Sequence, residues 1–229
     1  MRLVVGSGRL ASMLLTVMRE DKETYLYGRN PKTVDYLLAD FPNVKKANEQ
    51  HFSLIKDVFL CLPPDGYEGF ILKHKNLFDH NVTFYHMATA FKEEDVQLMV
   101  GNKKVVPLKL AGHAMVVKKE KSGLFVLGEQ YKEDLGKIEN LFPTMNIEIG
   151  SEADVLLANQ LGTEAAIKMV YQLKEKLERN AISPKIAEHT LSQTVQGVIK
   201  AYQNQDLGGF AKKIAQQLEQ KGEKLNEDG

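Results

Sequence analysis

The sequence predicts an α/β protein: a doubly wound sheet of alternating strands and helices over residues 1–150, then a small all-α domain over residues 151–229. Three observations predict it. Short apolar runs alternate with segments of helical spacing through the first 150 residues, the pattern of parallel strands joined by crossover helices. The chain opens on such a run, Arg2–Val5, which passes straight into Gly6-Ser7-Gly8-Arg9-Leu10-Ala11 and a helical segment. At Gly150-Ser151 the character changes, and nearly everything beyond has helical spacing.

The elements follow in order. Arg2–Val5 reads as a buried strand and residues 11–18 as the helix after it. Thr24–Tyr27 is the second strand. Pro31 opens a helix over residues 31–40 at its first position, where a missing N–H costs nothing. Residues 44–47 make a short third strand. Residues 57–62 are a continuous apolar run, hence a central strand; Pro63-Pro64 stop it, and residues 65–77 are helical. Residues 82–86 are the fifth strand, and Glu93–Val100 a helix. Residues 104–108 are the sixth strand, with Pro107 marking an edge or a strand end. Gly123–Leu127 and Met145–Ile149, around a helix over residues 133–142, belong at the sheet's far edge.

Ser151 and Asp154 have the spacing of an acidic capping box. Residues 152–180 then make one helix of about 40 Å. It is apolar on most sides, from Val155 and Leu156 to Val170 and Leu173, so it is expected to be buried against the first domain, a second subunit or both. Ser183 and Pro184 start a helix running to about Tyr202. Gly208-Gly209 precede a final helix over residues 210–221, and the polar stretch 216–229 is expected to fray.

The glycine-rich turn carries the chemistry. Gly6-Ser7-Gly8-Arg9-Leu10-Ala11 is the G-x-G-x-x-A form of the dinucleotide fingerprint, in the strand–turn–helix setting it requires, so the sheet is of the Rossmann kind. Gly6 allows a sharp turn, Gly8 lets the backbone approach a pyrophosphate, and Ala11 lets the helix lie close to the sheet. The helix N-terminus turns free N–H groups and a positive dipole end toward the phosphates. NAD-specific sites end the second strand with an acid on the ribose 2′-OH. Here that strand ends in Gly28-Arg29-Asn30-Pro31-Lys32-Thr33, without an acid. An arginine fork favours a 2′-phosphate. The expected cofactor is NADP, with NAD less favoured, held by Gly6, Ser7, Gly8, Arg9 and Leu10 and by Arg29 with Asn30, Lys32 and Thr33. An ordinary loop ahead of a helix is the plainer reading of Gly28–Pro31.

Composition narrows the partners. The 229 residues suffice for one large or two modest cores. Thirty basic and thirty acidic residues leave no formal net charge, which argues against nucleic-acid and membrane-surface roles. No apolar run reaches membrane-spanning length. The N-terminus goes directly into a core strand, with no signal peptide expected. Cys61 is the single cysteine, so no internal disulfide forms and a reducing cytoplasm is the expected location. The six histidines show no metal-ligand spacing.

A dinucleotide domain of this size, a long helix and a small helical domain together resemble the pyrroline-5-carboxylate reductase group of the 6-phosphogluconate dehydrogenase-like superfamily. Gly6–Ala11 and Arg29-Asn30-Pro31 match its NADP-binding half. Asp57-Val-Phe-Leu-Cys-Leu62-Pro63 resembles the strand whose end contacts the nicotinamide-side ribose, which adds Leu62 and Pro63 to the implied cofactor residues. Residues 182–187 and 191–197 resemble the reductases' dimerisation helices, implying a homodimer. The chain departs from the group at Asn159–Ala165, at Gly208-Gly209-Phe210 and in its shorter C-terminal end.

Gly162-Thr-Glu-Ala-Ala-Ile-Lys168 resembles the segment of the β-hydroxyacid dehydrogenases in which the lysine is the general acid/base, so the resemblance implies that role for Lys168. Glu164, Lys168 and Gln172 share one helix face, which also fits a solvated ion pair. His113, beside Gly112 after the sixth strand, stands where such folds place substrate-side loops; it is a second candidate acid, or a plain loop histidine. His86 and Thr89 end the fifth strand and face the same region, His86 as a structural histidine first; Cys61 reads as core. The expected function is NADP-dependent reduction of a small imine or carbonyl. The competing expectation is a cofactor-binding regulatory or scaffold protein that has lost the chemistry.

Overall fold

The computed structural model describes residues 1–88 and 91–227, with side chains to residue 220. The chain divides into two compact units, Met1–Leu161 and Gly162–Gly229.

The first unit holds the whole sheet. In chain order its elements are β1 (Arg2–Val5), α1 (Arg9–Val17), β2 (Thr24–Tyr27), α2 (Pro31–Asp40), β3 (Val44–Lys46), β4 (Asp57–Leu60), α3 (Pro64–His74), β5 (Thr83–His86), α4 (Glu93–Val100), β6 (Lys104–Ala111), α5 (Ala114–Glu120), β7 (Gly123–Leu127), α6 (Leu135–Leu141) and β8 (Met145–Ile149). The first ten residues of α7 (Glu152–Arg179) belong to it as well. Strand order is β3-β2-β1-β4-β5-β6-β7-β8. The order reverses between β1 and β4, which creates a crevice at the carboxyl ends of these strands.

Alternation along each strand sends neighbours to opposite faces. Val4, Phe59 and Tyr85 pack with Ala11 and Leu14 of α1, Val34 of α2, Val117 of α5 and Ile138 of α6. Leu3, Val5, Val58, Leu60 and Phe84 pack with Tyr67 and Phe70 of α3 and Val96 of α4. Both faces are therefore covered, which is why the central strands read as unbroken apolar runs.

Two expectations are corrected. The sheet is not wholly parallel, because β7 runs antiparallel to β6. Pro107 is neither at an edge nor at a strand end: β6 is internal and continues to Ala111. The proline sits where one neighbour hands over to the other. The β5 ladder ends at His86 opposite Pro107, and the β7 ladder begins at Leu108 opposite Leu127. The expected cover for α7 is the first domain, a second subunit or both, and the single chain covers little of it. Val155 is its one buried residue, while Leu156, Leu157, Leu161 and Ile167 are exposed.

The second unit is helical: the rest of α7, α8 (Pro184–His189), a π-turn over Thr190–Val195, α9 (Gln196–Gln203) and α10 (Gly209–Glu227). Pro184 occupies the first turn of α8 as expected, although Ser183 makes no side-chain cap. The last helix extends to Glu227, past the expected stop at residue 221. Among the described residues no helix is long and apolar enough to cross a membrane.

Candidate cofactor cleft and active site

The glycine turn is held against β4 by contact. Gly6 has φ of +112°, and a Cβ there would lie 2.3 Å from the Cys61 carbonyl oxygen. No side chain fits at that approach, so the turn is pinned to the strand beside it. Gly8 differs: a Cβ on it would meet no described atom within 4 Å. What glycine leaves open there is space outside the protein, over the start of α1. Gly8 is the N-cap of α1, without a side-chain hydrogen bond, and no acid lies in the first turn. An uncapped, positively polarised helix end beside an open cradle fits a pyrophosphate.

The β2 end is braced from two sides. Asn30 accepts from the Lys32 amide at 3.0 Å and caps α2. The Thr33 hydroxyl donates to the Asn30 carbonyl at 3.0 Å and lies 2.7 Å from the Ser7 hydroxyl, tying the two turns together. Arg9, Arg29 and Lys32 are exposed, and their side chains make no ion pair with a described residue. The nearest acid along α2, Asp35, is paired with Lys46 at 2.5 Å. Ser7, Asn30 and Thr33 thus brace the two turns against each other, and Arg9, Arg29 and Lys32 are exposed cations upon them.

Two clefts meet at Leu62. One, of 210 Å³, lies between the β2 end and α3 and is lined by Tyr27, Gly28, Arg29, Leu62, Phe70 and Lys73 among others. The second, of 310 Å³, runs along the carboxyl ends of β4, β5 and β6 and is lined by Arg9, Leu10, Leu62, Met87, Leu110 and His113 among others. Pro64 rather than Pro63 faces the second cleft; Pro63 is the exposed N-cap of α3. Together they make a groove across the crevice, from Arg29 to His113.

His113 is exposed at the mouth of the second cleft, as the N-cap of α5, a short helix that sequence spacing does not single out. The loop before it is fixed by α7: Asn159 donates to the Leu110 carbonyl at 2.9 Å and accepts from the Gly112 amide at 3.0 Å. Lys168 lies in the second unit, 67% exposed and paired with Glu164 one turn back. Thr89 lies outside the described residues.

Behind the cleft wall is a polar cluster that sequence reading missed. Lys109, on β6, has a side chain only 2% exposed. Its Nζ lies 2.7 Å from Glu152 Oε1 and 2.7 Å from His86 Nε2, and it donates to the Ala88 carbonyl. His86 is fully buried, with Nδ1 3.2 Å from the Tyr67 hydroxyl. That hydroxyl donates to the Leu60 carbonyl at 2.9 Å and accepts from the amides of Ala88 at 3.0 Å and Met87 at 3.3 Å. Burial pushes the Lys109 ammonium below its ordinary value, and Glu152 opposes this. Burial also pushes Glu152 up, but His86 and Lys109 more than offset it and hold the carboxyl below 4.5. The signal in the sequence was a lysine inside the run Val105–Leu110: a charge in a central strand must be paired. Among the described residues, no group of three or more His, Cys, Asp or Glu gathers as metal ligands.

No protein-family model matches the chain, and no curated protein matches it by sequence. Solved structures do match in shape. A pyrroline-5-carboxylate reductase from Coxiella burnetii superposes over 100% of this chain and 90% of its own, with a TM-score of 0.69 at 14% identity. The fold is that of the pyrroline-5-carboxylate and imine reductases. An imine reductase from Myxococcus stipitatus, solved in complex with NADP+, matches over 89% of this chain and 77% of its own, with a TM-score of 0.57 at 12% identity. The V8 variant of the Myxococcus enzyme, in complex with NAD+, matches with a TM-score of 0.59 at 10% identity, over 89% of this chain and 77% of its own.

Proposed function

We propose that the protein is an NADPH-dependent reductase of a small imine or carbonyl compound. The observation that carries this reading is the groove from Arg29 to His113, which passes the uncapped start of α1 and follows the carboxyl ends of the strands. The shape shared with reductases supports it. Because one matching enzyme was solved with NADP+ and its variant with NAD+, the choice of nucleotide rests on the chain's own residues. Arg29 stands at the β2 end where an NAD site would carry an acid, and Lys32 and Thr33 follow it.

Bound NADPH supplies a hydride. The protein's part is to hold the acceptor beside it and to furnish a proton. Leu10, Leu62, Met87 and Leu110 give the second cleft an apolar lining that suits a small, weakly polar acceptor and displaces water. His113, at the cleft mouth, is the first candidate to hold the proton. Lys168 is the second. A homodimer covering the exposed apolar residues of α7 would give it the cleft of another copy to serve.

NADPH and NADH fluorescence titrations, followed by turnover of a panel of cyclic imines and small carbonyls, test the reading. Tighter NADPH binding with turnover of at least one imine or carbonyl is expected. Binding without any turnover would favour a regulatory binder, and absence of binding would end the proposal. His113→Ala and Lys168→Met then identify the donor, because losing a general acid lowers the rate by about 100-fold or more.

A further inference from the structure

We propose that Lys109 is a positioning residue of this site, gathering the Ala88 and Phe91 carbonyls and the Glu152 carboxylate and so setting the cleft wall formed by Met87 and Ala88. The inference rests on the reading of that cleft as the place where substrate meets cofactor. An ammonium has three protons to give. Lys109 has three acceptors within reach, namely Glu152 Oε1, the Ala88 carbonyl and, at 3.5 Å, the Phe91 carbonyl, and His86 Nε2, 2.7 Å from Nζ, itself donates to the Phe91 carbonyl at 2.9 Å. Ala88 and Phe91 lie outside the regular elements, between β5 and α4, so no ladder fixes their carbonyls. The same segment is gripped from behind by Tyr67, whose hydroxyl takes the amides of Met87 and Ala88. Met87 and Ala88 line the cleft, and so does Leu110, the residue after Lys109.

Stability alone does not require this lysine. An apolar side chain of similar length would avoid desolvating a charge, and buried ion pairs are often replaced by apolar residues at little cost. What the charge adds is direction, because it draws named carbonyls and one carboxylate to a single point. Nor does Lys109 reach substrate, since its side chain is only 2% exposed and Ala88 stands between it and the cleft. It therefore acts through the wall.

The cluster also fixes α7. Glu152, Val155 and Asn159 follow helical spacing on one face. Glu152 meets Lys109, and Asn159 meets Leu110 and Gly112. Seven helix residues rise about 10.5 Å and three strand residues about 10 Å, so α7 runs alongside β6 in register with it. One helix face thus secures both the wall at Ala88 and the loop leading to His113.

The test compares Lys109→Met with Lys109→Arg in the full chain. Three quantities are read: hydrogen exchange at the Met87 and Ala88 amides, NADPH affinity, and kcat and KM on the best imine. In Lys109→Met the two amides are expected to exchange about tenfold faster or more while those of β1 keep their protection. NADPH affinity should stay within about threefold, because the Gly6–Gly8 turn and Arg29 are untouched, and kcat should fall by about tenfold or more from a misplaced acceptor. Lys109→Arg should recover most of both losses, since a guanidinium can reach the same carbonyls and carboxylate. Unchanged exchange and kcat in Lys109→Met, or an arginine variant no better than the methionine one, overturns the proposal. If Lys109→Met does not fold, Glu152→Gln carries the test, with the same amides loosened. If the unmutated protein reduces no imine or carbonyl, the proposed function falls, while the exchange measurement still decides whether Lys109 holds the wall.

Discussion

The two units treat apolar surface in opposite ways. In Met1–Leu161, residues alternate along each strand into cores on both sides of the sheet, and side chains as large as Tyr67, Phe59 and Phe84 lose all contact with water. In the unit from Gly162 onward no described residue is buried, and Ile167, Tyr171, Tyr202 and Phe210 stand exposed. Exposed apolar surface on this scale marks an interaction face. A sheet closes its own core because helices cover both of its faces; single helices in sequence have only one another. The first unit is thus complete as a folded body, and the second has surface to give to a partner, which in our proposal is a second copy.

Matched truncations offer the largest test of that contrast. Phe59→Ala removes a ring with no exposure and should cost about 3–5 kcal/mol in urea unfolding. Phe210→Ala removes one that is 82% exposed and should stay within about 0.5 kcal/mol at concentrations that keep chains apart. Comparable losses would erase the distinction. Light scattering should return twice the 25.8 kDa of one chain, and Ile167→Glu should restore the single mass.

Arg29→Ala probes the first unit's function rather than its core. It should remove most of a preference for NADPH worth about 1.5–3 kcal/mol and leave NADH affinity nearly unchanged. Equal affinities for the two nucleotides in the unmutated protein would refute the assignment of Arg29. The smallest effects come from two glutamates on α7. Glu152 is held below its ordinary 4.5, so its stabilising contribution is complete above that pH and lost as pH falls through the lowered value. Unfolding from pH 7 to pH 3 should show Glu152→Gln losing its deficit toward the acid end. Glu164, in an exposed pair with Lys168, should cost within about 0.5 kcal/mol as Glu164→Gln at any pH.

Local patterns carried most of the first unit. Arg2–Val5, Thr24–Tyr27, Pro31–Asp40, Glu93–Val100 and the two last strands stand at the residues their own spacing indicates, because caps, turns and periodicity are set within a few neighbours. The glycine turn and the cap at Asn30 were legible for the same reason. What escaped depends on distant partners. Pro107 looks like a strand end until β7 arrives on the other side. Lys109 finds Ala88 and His86 across the sheet and Glu152 from α7, and no local rule joins those positions. The apolar stripe of α7 was read correctly as a pattern, yet what covers it is not a matter of this helix's sequence alone.

The reversal at β7 has a topological consequence. Chain direction is a matter of parity: β6 climbs toward the cleft edge, β7 and β8 descend from it, and the next element must climb again. Because of that one extra inversion α7 starts at the far edge and ascends beside β6, bringing Glu152 past Lys109 before Asn159 arrives at Gly112. Had β7 joined the sheet in the parallel sense, α7 would have set out from the cleft edge and descended, meeting the same partners in reverse order. A rearrangement that removed β7 alone, leaving α6 to lead back down to β8, would flip that order and leave both contacts without their mates, so the antiparallel strand works as a sign change on which the docking of α7 depends.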